Sequence, residues 1–211
     1  VTETSRLEAF SDGVMAIAIT LLVLDLSVPT REQLAAEHVS LGHALAALWP
    51  NYAAYIVSFL VIGIIWVNHH AVFKLVGRAD RRLLFANLFL LMVVSAIPFP
   101  TRLLAEYLTA GDASAHIAAA VYSATMLAMA VAFTLLFAAA TRRPDLLAPG
   151  VDPAAVRGSL PRFGLGVVFY ALTVALSFVS APLTLLTHFG LAVYYIFDQT
   201  GSAGAVTGTD A

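Results

Sequence analysis

Asp12 is the residue to account for first. It falls about one turn inside a long apolar stretch, Ser5 to Val28 (SRLEAFSDGVMAIAITLLVLDLSV), with Arg6 and Glu8 before it and Asp25 near the far end. A second polar set, Trp66, Asn68, His69 and His70, interrupts another apolar stretch at IIWVNHHAVF. Ionisable groups inside apolar segments are costly, so they face a protein interior or a water path. A carboxylate and imidazoles at similar depth suit three kinds of chemistry. They can fasten two helices, with Asp12 bonded to His69 or His70 and Ser11, Trp66 and Asn68 joining in. They can relay or sense protons, since histidine titrates near neutrality. Metal ligation is the weakest of the three, because adjacent residues diverge by about 100° on a helix and both histidines cannot easily share one ion with Asp12. Ser11, Asp12 and His69 can be drawn as a hydrolytic triad, but nothing supplies an oxyanion hole, so the chain does not read as an enzyme. His38, His43, His116 and His188 show no ligand spacing and read as solvated or interfacial.

These groups must be positioned by membrane helices. Of 211 residues, 60% are hydrophobic and only 11% charged, with a mean hydropathy of +0.88. A water-facing surface carries more than twice that share of charge, about a quarter of all residues. The absence of cysteine excludes disulfides and thiolate chemistry. The opening stretch lacks the basic and small-residue flanks of a cleaved signal and reads as a retained helix. A span needs about 20 apolar residues, and six stretches qualify or come close. They are Glu8 to Val28, Pro50 to Val76, Leu83 to Tyr107, Ala113 to Thr141, Phe163 to Val179 and Leu183 to Phe197. Pro98 and Pro100 predict a kink or early end in the third. Ser180-Ala181-Pro182 makes the last two a tight hairpin, or one long broken helix. Pro29 to Leu48 reads as a polar, amphipathic connection. The fold class is therefore all-α integral membrane, with a six-helix domain over 1–198 and a Gly- and Thr-rich flexible tail over 199–211. With both termini cytoplasmic, Arg6, the loop with Lys74, Arg78, Arg81 and Arg82, and the loop with Arg142, Arg143, Arg157 and Arg162 share one side. That is nine of the eleven basic residues, leaving only Arg31 and Arg102 outside, as the positive-inside rule requires.

The first span also carries an apolar stripe. Ile17, Thr20 or Leu21, and Leu24 recur at helical spacing, and Gly13 and Ala16 continue the same face toward Asp12. On an ordinary helix this face meets lipid or a partner helix. Around a symmetry axis it would form rings of branched side chains that gate by dewetting, with a threonine ring offering oxygens to a cation.

The run Arg6-Leu7-Glu8-Ala9-Phe10-Ser11-Asp12 matches R-x-x-x-F-S-D, and Trp66, His69 and His70 match W-x-x-H-H. In both motifs and in the six-span layout the chain resembles the transmembrane protein 175 family, the lysosomal potassium channels and their bacterial homologues. The resemblance implies a homotetramer of single six-helix units, because bacterial members carry one unit per chain. It implies first helices lining a central pore, with Ile17 as the apolar constriction, Leu21 and Leu24 as further layers and Thr20 as the hydroxyl layer. Arg6, Phe10, Ser11, Asp12, Trp66, His69 and His70 would form the supporting network. No TVGYG-type filter is present. Ala16 stands where the family can carry a serine, which leaves one hydroxyl layer and implies moderate selectivity. The expected function is passive potassium permeation across a bacterial plasma membrane. No cofactor or resident metal is implied, since K+ is only transiently in the pore. The expected partners are the chain's own copies, the bilayer, and K+ with other monovalent cations, with no nucleic acid. The alternatives are a proton-coupled or proton-conducting transporter using Asp12 and His69 or His70, and a non-conducting scaffold.

Overall fold

The computed structural model describes residues 4–158 and 160–198, with the backbone alone described at 155, 157, 160–163, 197 and 198. The expected flexible tail, 199–211, lies outside the described residues, as do the side chains of Arg157 and Arg162. The described chain is all-helical. Helix α1 (Thr4–Leu21) passes into a 3-10 turn, Leu22–Asp25. Two short helices follow, α2 (Arg31–Glu37) and α3 (Leu41–Ala47), then α4 (Trp49–Lys74), α5 (Arg81–Ala96) and α6 (Pro98–Tyr107). Next come α7 (Ala113–Thr141), α8 (Pro153–Gly158), α9 (Leu160–Ser177) and α10 (Ala181–Asp198). Four segments are long and apolar enough to cross a membrane: Thr4–Asp25, Trp49–Lys74, Arg81–Tyr107 and Ala113–Thr141. Gly164–Ser177 and Ala181–Ile196 are shorter apolar helices.

Local chemistry sets most boundaries. Thr30 and Gln33 form a reciprocal capping box that starts α2, and Ser40 caps α3, so the polar connection folds as two short helices. Asp80 Oδ1 accepts the Leu83 amide at 2.9 Å to start α5, and Asp112 accepts the Ser114 amide at 2.8 Å to start α7. Pro98 has no N–H to give, and the third span breaks at Ile97. The helix resumes at once through the Thr101 amide on the Ile97 carbonyl. The first span ends earlier than Val28. The Thr20 hydroxyl donates back to the Ile17 carbonyl at 2.9 Å, the next turn tightens to i→i+3 bonding, and Leu26 turns extended (φ −81°, ψ 97°) toward Pro29. Ser180 separates α9 from α10, where its carbonyl accepts the Thr184 amide and hydroxyl.

Helix α7 is the spine, packed against α5, α6, α9 and α10. A buried polar layer stitches this core. Ser58 on α4 bonds Thr101 on α6 (2.8 Å) and the Tyr122 hydroxyl on α7 (3.0 Å), while Ser123 bonds His188 on α10 (3.0 Å). His188 is fully buried, edge-on to Tyr122 and stacked on Tyr170. The solvated or interfacial reading of His188 is thus corrected: two aromatic rings and a serine give it a core site. The His116 Nδ1–H donates to the Ser177 carbonyl at 2.7 Å, tying the start of α7 to the end of α9. At the opposite end the α4–α5 and α7–α8 loops are joined. The Gly77 amide donates to the Leu146 carbonyl and the Ala148 amide to the Leu75 carbonyl, both at 2.9 Å. A Cβ on Gly77 would meet the Ala148 Cα at 3.2 Å, so a larger residue would push the two loops slightly apart. Arg143 adds bonds to Asp145 at 2.6 and 3.1 Å and faces Asp80 at 3.8 Å.

Candidate ion-conduction site

Helix α1 lies at the edge of its own bundle and packs on α4 and α5. It has two faces. Ser11, Met15, Ala18 and Leu22 are buried at spacings of four, three and four, the stripe of one helical face. The other side is bare. Ile17 is 60% exposed, Leu21 42% and Leu24 75%, and Gly13, Ala16 and Thr20 are exposed with them. The stripe singled out in the sequence is therefore the face that the subunit does not cover. The Thr20 hydroxyl spends its proton on the Ile17 carbonyl. What it can offer outward is its oxygen lone pairs, which suit a cation.

The polar groups of α1 and α4 do come together, but in other pairs than expected. Asp12 Oδ1 accepts the Trp66 indole N–H at 2.8 Å. Neither histidine bonds Asp12 among the described residues. His70, one turn after Trp66, stacks on it with centroids 6.3 Å apart. His69 turns to a different side of α4, where it is buried against Phe73 and bonds Asn87 on α5 at 2.8 Å. Asn87 Nδ2–H donates to Ser11 Oγ at 2.9 Å, and the Ser11 hydroxyl donates to the Leu7 carbonyl at 2.8 Å. The physical reason for the correction is angular. Trp66 and His70 share a face at i and i+4, while His69 is rotated about 100° away. Asn68 does not join either group. It lines a cavity of about 70 Å³ between α4, α7, α9 and α10, where its Oδ1 has no partner among the described residues. Arg6 and Phe10 are exposed, and Arg6 forms no ion pair among the described residues.

The buried triad has a direction. Ser11 has given its proton to Leu7, so its oxygen faces the Asn87 amide N–H; Asn87 Oδ1 then faces His69, which donates from Nε2. The series runs from His69 through Asn87 and Ser11 and ends on the Leu7 backbone carbonyl. Asn87 is the residue the sequence reading missed, although it joins three helices.

A family model, endosomal/lysosomal potassium channel TMEM175, matches residues 6–98, which hold most of α1 and all of α2 to α5. A potassium channel of Streptomyces collinus is 58% identical over 197 residues, 93% of each chain. The chain belongs to the TMEM175 family. The crystal structure of a TMEM175 homolog from Chamaesiphon minutus, described as a lysosomal potassium-selective channel homolog, superposes with a TM-score of 0.82 at 42% identity. The match covers 92% of this chain and 96% of that one. The chicken endosomal/lysosomal proton channel TMEM175 is 41% identical over 106 residues, 48% of this chain but 21% of that protein. All three relatives are named channels rather than enzymes.

Proposed function

We propose that this TMEM175 chain is one subunit of a homotetrameric, moderately potassium-selective cation channel in a bacterial plasma membrane. The carrying observation is the bare face of α1. A helix bound to its own subunit by Ser11, Met15, Ala18 and Leu22, and turning Ile17, Leu21 and Leu24 outward, is suited to meet its own copies about an axis. Rings of these branched side chains would exclude water, with the Thr20 oxygens as the hydroxyl layer. The functional unit is the six-helix domain 1–198, with the tail after it and both termini in the cytoplasm. Two features support six crossings. Helices α9 and α10 have 18 residues each, about 27 Å of helix against about 30 Å of hydrocarbon. The two basic loops are bonded to each other, which puts them at one end of the bundle, in keeping with a shared cytoplasmic side. K+ passes down its gradient and no cofactor takes part. The support network at α1 is Ser11, Asp12, Trp66, His69 and His70, with Asn87 added and with Arg6 and Phe10 left to contacts between subunits.

Flux through reconstituted vesicles tests the reading. Ile17→Asn or Leu21→Asn wets the constriction and raises potassium leak by tenfold or more, about 1.4 kcal/mol off the barrier. Unchanged flux in both, and in Leu24→Asn, would mean that this face does not line the pathway. A relay of protons between Asp12 and a histidine is less favoured, because the Asp12 partner is an indole, which donates only.

A further inference from the structure

Arg81 and Arg82 open α5. Both are exposed, and neither forms an ion pair or hydrogen bond among the described residues. The acids around them are engaged. Asp80 caps Leu83 and faces Arg143, and Asp145 holds Arg143 at 2.6 Å. The Arg81 guanidinium sits 5.5 Å over the Phe85 ring, which holds its charge on the outer side of the helix. Asp80, Arg81, Arg82 and Phe85 line an open concavity of about 590 Å³. Beyond it Phe85, Leu88, Phe89 and Met92 are all exposed, and their spacing makes one apolar stripe running away from the arginines. From Arg81 to Met92 the helix rises about 16 Å, roughly half the hydrocarbon thickness. Two cations with no acidic partner among the described residues, above an apolar track one leaflet long, match a phospholipid with its phosphate at the arginines.

We infer that the Arg81 end of α5 is a binding site for an anionic phospholipid, with Arg81 and Arg82 on the headgroup phosphate and an acyl chain along Phe85, Leu88, Phe89 and Met92. Charge decides between this occupant and a second copy of the chain. The same end carries Lys74, Arg78, Arg142 and Arg143, so a copy presenting it brings like charge, whereas an anionic lipid brings the opposite sign. The inference rests on the proposed reading only in that α5 enters the membrane at its cytoplasmic surface; it needs no conduction. Its consequence reaches the pore helix. Asn87, on the buried side of the same turns, holds Ser11 of α1 and His69 of α4, so a lipid packed on Phe85 and Leu88 steadies that junction.

The test is binding to the full chain, purified in mild detergent, of phosphatidylglycerol and of phosphatidylcholine with the same acyl chains, with inorganic phosphate as competitor. Phosphatidylglycerol binds at least tenfold more tightly than phosphatidylcholine. R81Q/R82Q lowers its affinity about thirtyfold, roughly fivefold per arginine, while Arg142→Gln, which removes one such charge outside the concavity, stays within twofold. Phe85→Ala weakens the lipid without admitting phosphate. Equal binding by R81Q/R82Q and the parent chain overturns the site. So does a loss of about fivefold in Arg142→Gln, as large as that assigned to each arginine of the pair, which makes the attraction diffuse, and so does displacement by millimolar phosphate, which makes it a site for the free ion. Assembly lost in R81Q/R82Q with lipid binding intact assigns the face to a subunit contact and overturns it too. Vesicle flux on the same protein keeps the two readings apart, because binding without any potassium flux retires the channel and leaves the lipid site standing.

Discussion

Asn87→Leu is the most informative single change, because Asn87 is fully buried and bonded on both sides. Leucine removes the 2.8 Å bond from His69 and the 2.9 Å bond to Ser11. Each is worth about 0.5–1.5 kcal/mol net, with membrane measurements near the lower end at about 0.6. The two sides then differ. Ser11 keeps a use for its proton on Leu7, so it loses only an incoming donor. His69, 1% exposed, is left with a buried N–H and nothing to receive it, at a cost of about 1–3 kcal/mol. The sum is about 2–4 kcal/mol. His69→Leu alone orphans the Asn87 oxygen and costs a similar amount. In the double variant both orphans disappear, and the loss falls to about 1–2 kcal/mol, since replacing both partners by apolar groups can be nearly neutral. Reversible denaturant unfolding in detergent of the four proteins gives the cycle, and a coupling of at least about 2 kcal/mol is expected, the two single losses less the double. Additivity within about 0.5 kcal/mol would show that the triad carries no shared energy and that the account of α1 anchoring is wrong.

Trp66→Phe keeps a ring against His70 but removes the indole N–H from Asp12. Because Asp12 is exposed and can turn to water, the expected loss is small, about 0.5–1.5 kcal/mol, read as a lowered thermal midpoint, and a loss above about 3 kcal/mol would show that Asp12 has no such access. At the basic end, the Arg143 guanidinium holds the Asp145 carboxyl below its ordinary value of 3.8, chiefly through its hydrogen bonds. The folded loop therefore binds fewer protons than the unfolded one, so this support is present above pH 3.8 and is lost as pH falls through the folded value. The Gly77 amide resonance, set by its bond to Leu146, should shift below pH 3.8 and cease to do so in Asp145→Asn.

What the sequence disclosed followed from how local each signal is. The bounds of α7 were legible because an Asp cap and an alanine-rich run act within one segment, and the break at Ile97 because Pro98 lacks a donor wherever it sits. The early end of α1 was not, since Thr20 looks like any hydroxyl until its bond to Ile17 is seen. Asn87 stands alone in LLFANLFLLMVV, with no polar neighbour at helical spacing. Its partners lie on two other helices, and nothing along α5 names them. His188 was misplaced for the same reason, because Ser123 and the rings of Tyr122 and Tyr170 come from α7 and α9. The apolar stripe of α1 was visible as periodicity, but periodicity could not tell which face its own subunit would cover. That needed Ser11, Met15, Ala18 and Leu22 to be seen buried.

The attachment of α1 to its subunit is uneven along its length, and this has a measurable consequence. Directional bonds concentrate near its start, where Ser11 receives Asn87 and Asp12 receives Trp66. Toward its end the attachment is apolar packing at Ala18 and Leu22, plus a long 3.5 Å contact from Asn51 to the Asp25 carbonyl. The α-helical ladder also ends at Leu21, and the following 3-10 turn has poorer hydrogen-bond geometry. In the proposed pore, Ile17 therefore sits on the anchored part, while Leu24 rides on the turn that opens at least cost. Hydrogen exchange should show this directly. Amides from Val23 to Leu26 should exchange at least tenfold faster than those from Met15 to Ala18, a difference of about 1.4 kcal/mol in local opening. Uniform protection from Ser11 to Leu26 would mean that contacts beyond this subunit, those of the pore itself, hold the end of α1 as firmly as Trp66 and Asn87 hold its start.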